Sequence, residues 1–218
     1  MNNLAVEKLE KFFSQFKTIH YKKGEVIIRP GDIPPGVYLL KKGYVKLYSI
    51  SSQGEELTLI IFKADDFFPI TWAINGTPNT QYLEAMTAIE AWRAPKLEFL
   101  EFLKNNSDSF FELTSRMLVR LRGLMQRMEY LAFGNAYEKV ASILLICAER
   151  FGEQEGGNIV IKVPLTHKDI AALLGITRET ASIEIKKLER KGLIAYHGRS
   201  VVVEDKKGLE QESLLTDF

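Results

Sequence analysis

Apolar positions change their period several times along the chain, and each change marks an element. Between residues 4 and 16, Leu4, Leu9, Phe12, Phe13 and Phe16 are mixed with charges as on a short amphipathic helix. From Ile19 to about Arg93 the pattern shortens to runs such as EVII, GVYLLKKG, YVKLYSI, ELTLIIF and EAMTAIEAWRA, rich in β-branched and aromatic residues. Gly, Pro and Asp turns separate them every eight to twelve residues, which predicts an all-β barrel or jelly roll. A helical period then returns from Ser107 to Phe133. Met117, Leu121, Leu124, Met128 and Leu131 recur at spacings of four, three, four and three, an a/d seam flanked by Arg116, Arg120, Arg127 and Glu129. So narrow a stripe calls for a partner helix, and a parallel homodimer is expected. Phe133-Gly134-Asn135 breaks the pattern as a hinge. A helix from Ala136 to Phe151, the polar loop GEQEGGN and the strand IVIKV follow.

The stretch from Thr166 to Leu193 predicts two short helices joined by a tight turn. Thr166 and Asp169 form a capping box ahead of Ile170, Ala171 and Leu174, Gly175 ends the first helix, and Thr177 caps the second. On that second helix Ala181, Ile185 and Leu188 share one face, while Arg178, Glu179, Ser182 and Lys186 occupy the other. An arginine at a helix start can donate two parallel bonds to guanine, and a glutamate can accept from the cytosine amino group. An αα-hairpin with a solvated charged face shares this pattern. After Gly192, however, LIAYHGRSVVVED reads as strand, His197-Gly198 turn and strand, which predicts a winged helix-turn-helix with a basic wing tip at Arg199.

Composition sharpens little of this. The 218 residues suit two domains, and 46% hydrophobic with 26% charged residues is ordinary for globular chains. The net charge is only +1, but Lys162 to Arg199 holds eight Lys/Arg against four Asp/Glu, a local excess of four. No apolar run reaches the roughly 18 residues that would span a membrane, and no signal peptide is evident. A soluble, cytoplasmic protein is expected. Cys147, alone, forbids an internal disulfide and cannot by itself hold an iron-sulfur cluster; within SILLICA it reads as a buried structural thiol. A cupin enzyme shares the roll but needs convergent metal ligands, and three histidines, His20, His167 and His197, make no metal site of that kind.

GITRETASIEIKKLERKGLIAYHGRSVVV resembles the C-terminal domain of the cyclic-AMP receptor protein and fumarate-nitrate regulator (Crp/Fnr) family of bacterial transcription factors. Arg178-Glu179-Thr180 and the hairpin after Gly192 carry the resemblance, and Gly31-Asp32, Val37-Tyr38 and Gly43 resemble that family's cyclic-nucleotide-binding roll. The resemblance implies an α+β fold: an N-terminal roll over residues 1–106, a dimerisation helix and hinge over 107–134, and a winged helix-turn-helix over 135–218. It also implies a homodimer on double-stranded DNA and contact with RNA polymerase if the protein activates transcription. The candidate DNA contacts are Thr166, His167, Thr177, Arg178, Glu179, Thr180, Ser182, Ile183, Lys186 and Arg199. Relatives with the same triplet place a second arginine where this chain has Ile183, which cannot donate a hydrogen bond and suits a thymine methyl instead.

The effector site departs from the family. Cyclic-AMP binders carry a Gly-Glu pair for the ribose and an Arg-Ser/Thr-Ala triplet for the phosphate; the corresponding places here hold Pro69-Ile70 and Asn79-Thr80-Gln81. Leu124 and Met125 replace the hydroxyl residues that meet adenine. A phosphate buried near Asn79 would keep its charge uncompensated, so cyclic AMP is not expected. Neither the cysteine cluster nor the haem-ligand pattern of other branches is present, and no cofactor is expected. Phe67, Phe68, Trp72 and Tyr82 line an apolar pocket for an unknown effector or simply fill the core. The competing function is a regulatory module whose winged helix docks protein and not DNA.

Overall fold

The computed structural model describes residues 3–198 and 200–215. They divide into two compact units: one comprises residues 3–49 and 59–122, the other residues 50–58, 123–198 and 200–215.

In the first unit, α1 (Asn3–Phe13) precedes strands β1 (Thr18–Tyr21), β2 (Val26–Ile28), β3 (Val37–Lys42), β4 (Val45–Ile50), β5 (Glu56–Phe62) and β6 (Phe67–Phe68). The helix α2 (Ile70–Asn75), strands β7 (Tyr82–Ala85) and β8 (Ile89–Ala94), and helix α3 (Lys96–Asn105) complete the roll. The strands form two sheets, ordered β1-β8-β3-β6 and β2-β7-β4-β5. Alternation along β3 explains how they pack. Tyr38 and Leu40 join Ile28, Val45, Phe62, Phe68, Leu83 and Ala91 in one core, while Val37 and Leu39 turn to a second core with Phe13, Phe67, Ile70, Phe99 and Leu113. Both faces of β3 are therefore buried. The corner at Gly43 requires glycine: φ is +87° and a Cβ would stand 2.4 Å from the Ala88 carbonyl oxygen.

The long helix α4 (Ser107–Phe133) begins in the first unit and ends in the second. Its first half is pinned to the turn between β5 and β6. Arg116 Nη1 donates to the Asp65 carbonyl at 3.0 Å, Arg120 pairs with the Asp66 carboxylate, and the two guanidiniums lie over Phe67 and Phe62. These contacts set the rotation of the helix and correct one seam assignment. Met117 packs against the second core of the roll, with Leu113 one turn before it. Exposed instead are Leu118 at 60%, Leu121 at 53%, Met125 at 57% and Met128 at 71%. Leu124 is 37% exposed and Leu131 is half-buried.

In the second unit, α5 (Ala136–Phe151) starts from a capping box in which Asn135 Oδ1 accepts from Glu138 N and Glu138 accepts from Asn135 N. The expected loop GEQEGGN is instead a hairpin. β9 (Gly152–Glu155) pairs antiparallel with β10 (Asn158–Ile161), so backbone pairing, with Glu153 and Glu155 meeting the Lys162 ammonium, makes a strand of a polar segment that offered no apolar alternation. α6 (His167–Leu174), α7 (Arg178–Arg190), β11 (Ile194–His197), β12 (Ser200–Val203) and α8 (Lys206–Gln211) follow, the strands forming a sheet ordered β11-β12-β10-β9. Cys147 lies in the core of this unit, where burial pushes its thiol up to about 12.

Candidate nucleic-acid interface

Local chemistry fixes where α6 and α7 begin. Asp169 N donates to Thr166 Oγ1 at 3.2 Å, and the Asp169 carboxylate accepts from Thr166 N at 2.8 Å and from its hydroxyl at 2.6 Å. The turn reverses through Gly175 at φ +63°, a left-handed conformation that costs glycine nothing. Thr177 Oγ1 then accepts from Thr180 N at 3.1 Å, and the two threonine hydroxyls meet at 2.9 Å. The hydroxyls of Thr166, Thr177 and Thr180 are thus engaged in capping.

From this start α7 presents two distinct faces. Ala181, Ile185 and Leu188 are fully buried, whereas Arg178, Glu179 and Lys186 are exposed and Ile183 is 56% exposed. A helix rotated to carry Glu184 outward and Ile183 inward is excluded: Glu184 is buried, and its carboxylate pairs with Lys187 at 2.7 Å. Ser182 stands between Arg178 and Lys186 in an i, i+4 row, its Oγ 2.8 Å from His167 Nδ1. The wing, β11 and β12, pairs Ile194 with Val203 and His197 with Ser200. Arg199, the expected basic wing residue, lies outside the described residues.

Two features of this unit go beyond what the charge pattern of the sequence indicates. Arg127 is 9% exposed, and its guanidinium donates to the carbonyls of Thr58, at 2.7 Å, and Leu173, the latter in the last turn of α6. In the pattern it was only one more charge flanking a seam. Lys187, Arg190 and Lys191 surround an open hollow of about 750 Å³ with Asn135, Tyr137 and Glu184. Their spacing along the end of α7 was the available signal.

Within the first unit the aromatic effector candidates turn to different places. Phe67 and Phe68 point to opposite cores, Ile70 belongs to the first of these, and Trp72 packs on it beneath the Lys96 ammonium. Two consecutive strand residues necessarily face opposite ways, so they cannot line one cavity. Pro69 precedes α2 as its N-cap residue. Asn79 is buried with its amide donating to the carbonyls of Arg29 at 2.8 Å and Gln81 at 2.7 Å, so it closes a loop. Thr80 is exposed and accepts from Gln81 Nε2, and Tyr82 stacks on Tyr48 with ring centroids 5.1 Å apart. Leu124 and Met125 fall in the second unit. Among the described residues no group of three or more His, Cys, Asp or Glu could hold a metal ion, and no helix is long and apolar enough to cross a membrane.

Residues 18–106 match the model of the cyclic nucleotide-binding domain, and residues 138–212 match that of the Crp-like helix-turn-helix domain. The chain belongs to the Crp/Fnr family. It is a DNA-binding transcription regulator of the Crp/Fnr type and not an enzyme. It is 29% identical over 201 residues to the global nitrogen regulator of Synechococcus elongatus, covering 88% of this chain and 87% of that one. It is also 26% identical to the CRP-like cAMP-activated global transcriptional regulator of Mycobacterium tuberculosis, over 91% and 89% of the two chains. The solved structure of FixK2 from Bradyrhizobium japonicum shares this chain's fold with a TM-score of 0.80 at 22% identity, covering 93% of this chain and 99% of that one.

Proposed function

We propose that this Crp/Fnr regulator binds a two-fold symmetric DNA site as a homodimer in the cytoplasm, reading bases through the outward face of α7 and free of control by cyclic AMP. The observation that carries the reading is that face itself: Arg178, Glu179 and Ile183 are exposed at the helix start, while the stripe beneath them is fully buried. Arg178 suits a guanine, Glu179 a cytosine amino group, and Ile183 a thymine methyl. Lys186, two turns along, suits a phosphate. The apolar side chains of Leu118, Leu121, Met125 and Met128, left in water by a single chain, support pairing through α4. A dimer spaces two reading helices about one DNA turn apart. As an activator the protein would also meet RNA polymerase.

The absence of cyclic-AMP control rests on chemistry. The place of the phosphate-pairing arginine in cyclic-AMP binders is held by Asn79, whose amide is already engaged with two carbonyls. A phosphate there would stay uncompensated.

Affinity measured on a selected operator and on random duplex across a salt series tests the base-reading role. Arg178→Ala weakens operator binding by about 1 to 3 kcal/mol and leaves random DNA nearly unchanged, whereas Lys186→Ala weakens both and flattens the salt slope by about one unit. Equal losses on both duplexes for Arg178→Ala would remove it from base reading, and salt-insensitive binding would favour protein docking.

A further inference from the structure

Ser182 lies in the middle of the row Arg178–Ser182–Lys186 on the base-facing side of α7, but its hydroxyl is not free. His167, the first residue of α6, holds it from below, with Nδ1 2.8 Å from Ser182 Oγ. The imidazole has little freedom to turn away. Its backbone is fixed by the Thr166–Asp169 capping box, and the ring meets Tyr196 of β11 edge-on, centroids 5.3 Å apart at 68°. A serine hydroxyl has one proton to give and two lone pairs to offer, so whatever it does towards His167 decides what it has left for DNA.

We infer that His167 is a positioning residue that sets the polarity of the Ser182 hydroxyl and thereby the class of base edge read at the middle of each half-site. The inference rests on α7 being the base-reading helix. When Nδ1 is bare, Ser182 donates to it and shows the groove only lone pairs, which suit the amino groups of adenine or cytosine. When Nδ1 carries a proton, Ser182 accepts from it, and its own O–H turns outward to donate to guanine O6 or N7, thymine O4 or adenine N7, leaving cytosine as the base with no major-groove acceptor for it. We take the neutral ring as the Nε2–H tautomer, in which Nδ1 accepts from the Ser182 hydroxyl. Protonation places hydrogen on both nitrogens and inverts the serine. Among the described residues the ring meets Ser182 from α7 and Tyr196 from β11, whose hydroxyl feels Glu189 of α7 and Asp169 of α6; Lys168 and Asp169 are the neighbouring charges on α6 itself, and the Asp169 carboxylate is bonded to Thr166.

Binding-site selection with the full chain at pH 8.5 and pH 5.5 tests this on wild type, His167→Phe and Ser182→Ala. At one symmetric pair of positions wild type favours cytosine over guanine and thymine at the higher pH, by roughly two- to tenfold, and guanine or thymine over cytosine at the lower, with adenine accepted at both. His167→Phe keeps the ring against Tyr196 but shows no shift with pH, and Ser182→Ala shows no preference at that pair at either pH. A wild-type motif that is identical at both pH values overturns the inference, as does a pH shift that survives in Ser182→Ala. Should His167→Phe fail to fold, wild type and Ser182→Ala carry the test between them. The guanine under Arg178 serves as the internal reference. If it is enriched and the middle pair does not move, only the role of His167 fails; if it is absent too, base reading by α7 fails.

Discussion

Adjacent residues on α4 are predicted to answer the same charge in opposite ways. Leu118 and Met125 are 60% and 57% exposed in the single chain, so Leu118→Glu with Met125→Glu disturbs nothing in its fold. Met117 packs against the roll core, so Met117→Glu buries a carboxylate there. Fully burying a leucine or methionine is worth about 1.5 to 3 kcal/mol, and with roughly half of each side chain still in water the remaining gain is about 1 kcal/mol apiece. Leu118, Leu121, Met125 and Met128 from two protomers thus supply about 8 kcal/mol before the cost of association. The double variant removes about half of that and adds four carboxylates per dimer, each costing several kcal/mol when buried without a partner. Sedimentation velocity and a thermal melt separate the outcomes. Leu118→Glu/Met125→Glu runs as a monomer with an unchanged melting temperature and no binding to a palindromic duplex, while Met117→Glu melts earlier. If the double variant stays dimeric, or if Met117→Glu gives a stable monomer, the rotation assigned to α4 is wrong.

Two further outcomes follow from the same structure. Arg127→Met leaves the carbonyls of Thr58 and Leu173 without their charged donor, and with the relief of an arginine no longer buried it lowers stability by about 2 to 4 kcal/mol in urea unfolding followed by far-UV circular dichroism; an unchanged midpoint would show the two bonds to be idle. Cyclic AMP at millimolar concentration leaves the melting temperature and the DNA affinity unchanged, because a ligand bound only by the folded state must stabilise it; a saturable calorimetric shift would overturn the reading of Pro69, Ile70 and Asn79.

The helix-turn-helix was legible because its determinants are local. Thr166, Asp169, Gly175 and Thr177 each specify a cap or a reversal within four residues, and the Ala181, Ile185 and Leu188 stripe fixes the rotation of α7. On α4 the period was legible and its phase only in part. The helix has apolar residues on two faces, one turned to its own roll and one to solvent, so Met117 and Leu118 both fit a heptad and only the Arg116 and Arg120 contacts separate them. The aromatics Phe67 and Phe68 suggested a pocket because nothing in a two-residue strand buried on both sides reports which core each ring enters. The burial of Arg127 had no sequence signal, since its partners are backbone carbonyls 69 and 46 residues away.

Selection of bound sequences from a random duplex library is the most direct test of the central claim, that this chain reads DNA as a symmetric dimer through the start of α7. The expected result is a palindrome whose half-site centres lie about 10 bp apart, a strongly specified G·C pair under Arg178, and A·T favoured over G·C opposite Ile183. Ile183→Arg then gains a guanine preference at one symmetric pair of positions. A library that emerges with no enriched motif, or a motif untouched by substitution at both Arg178 and Ile183, would contradict it.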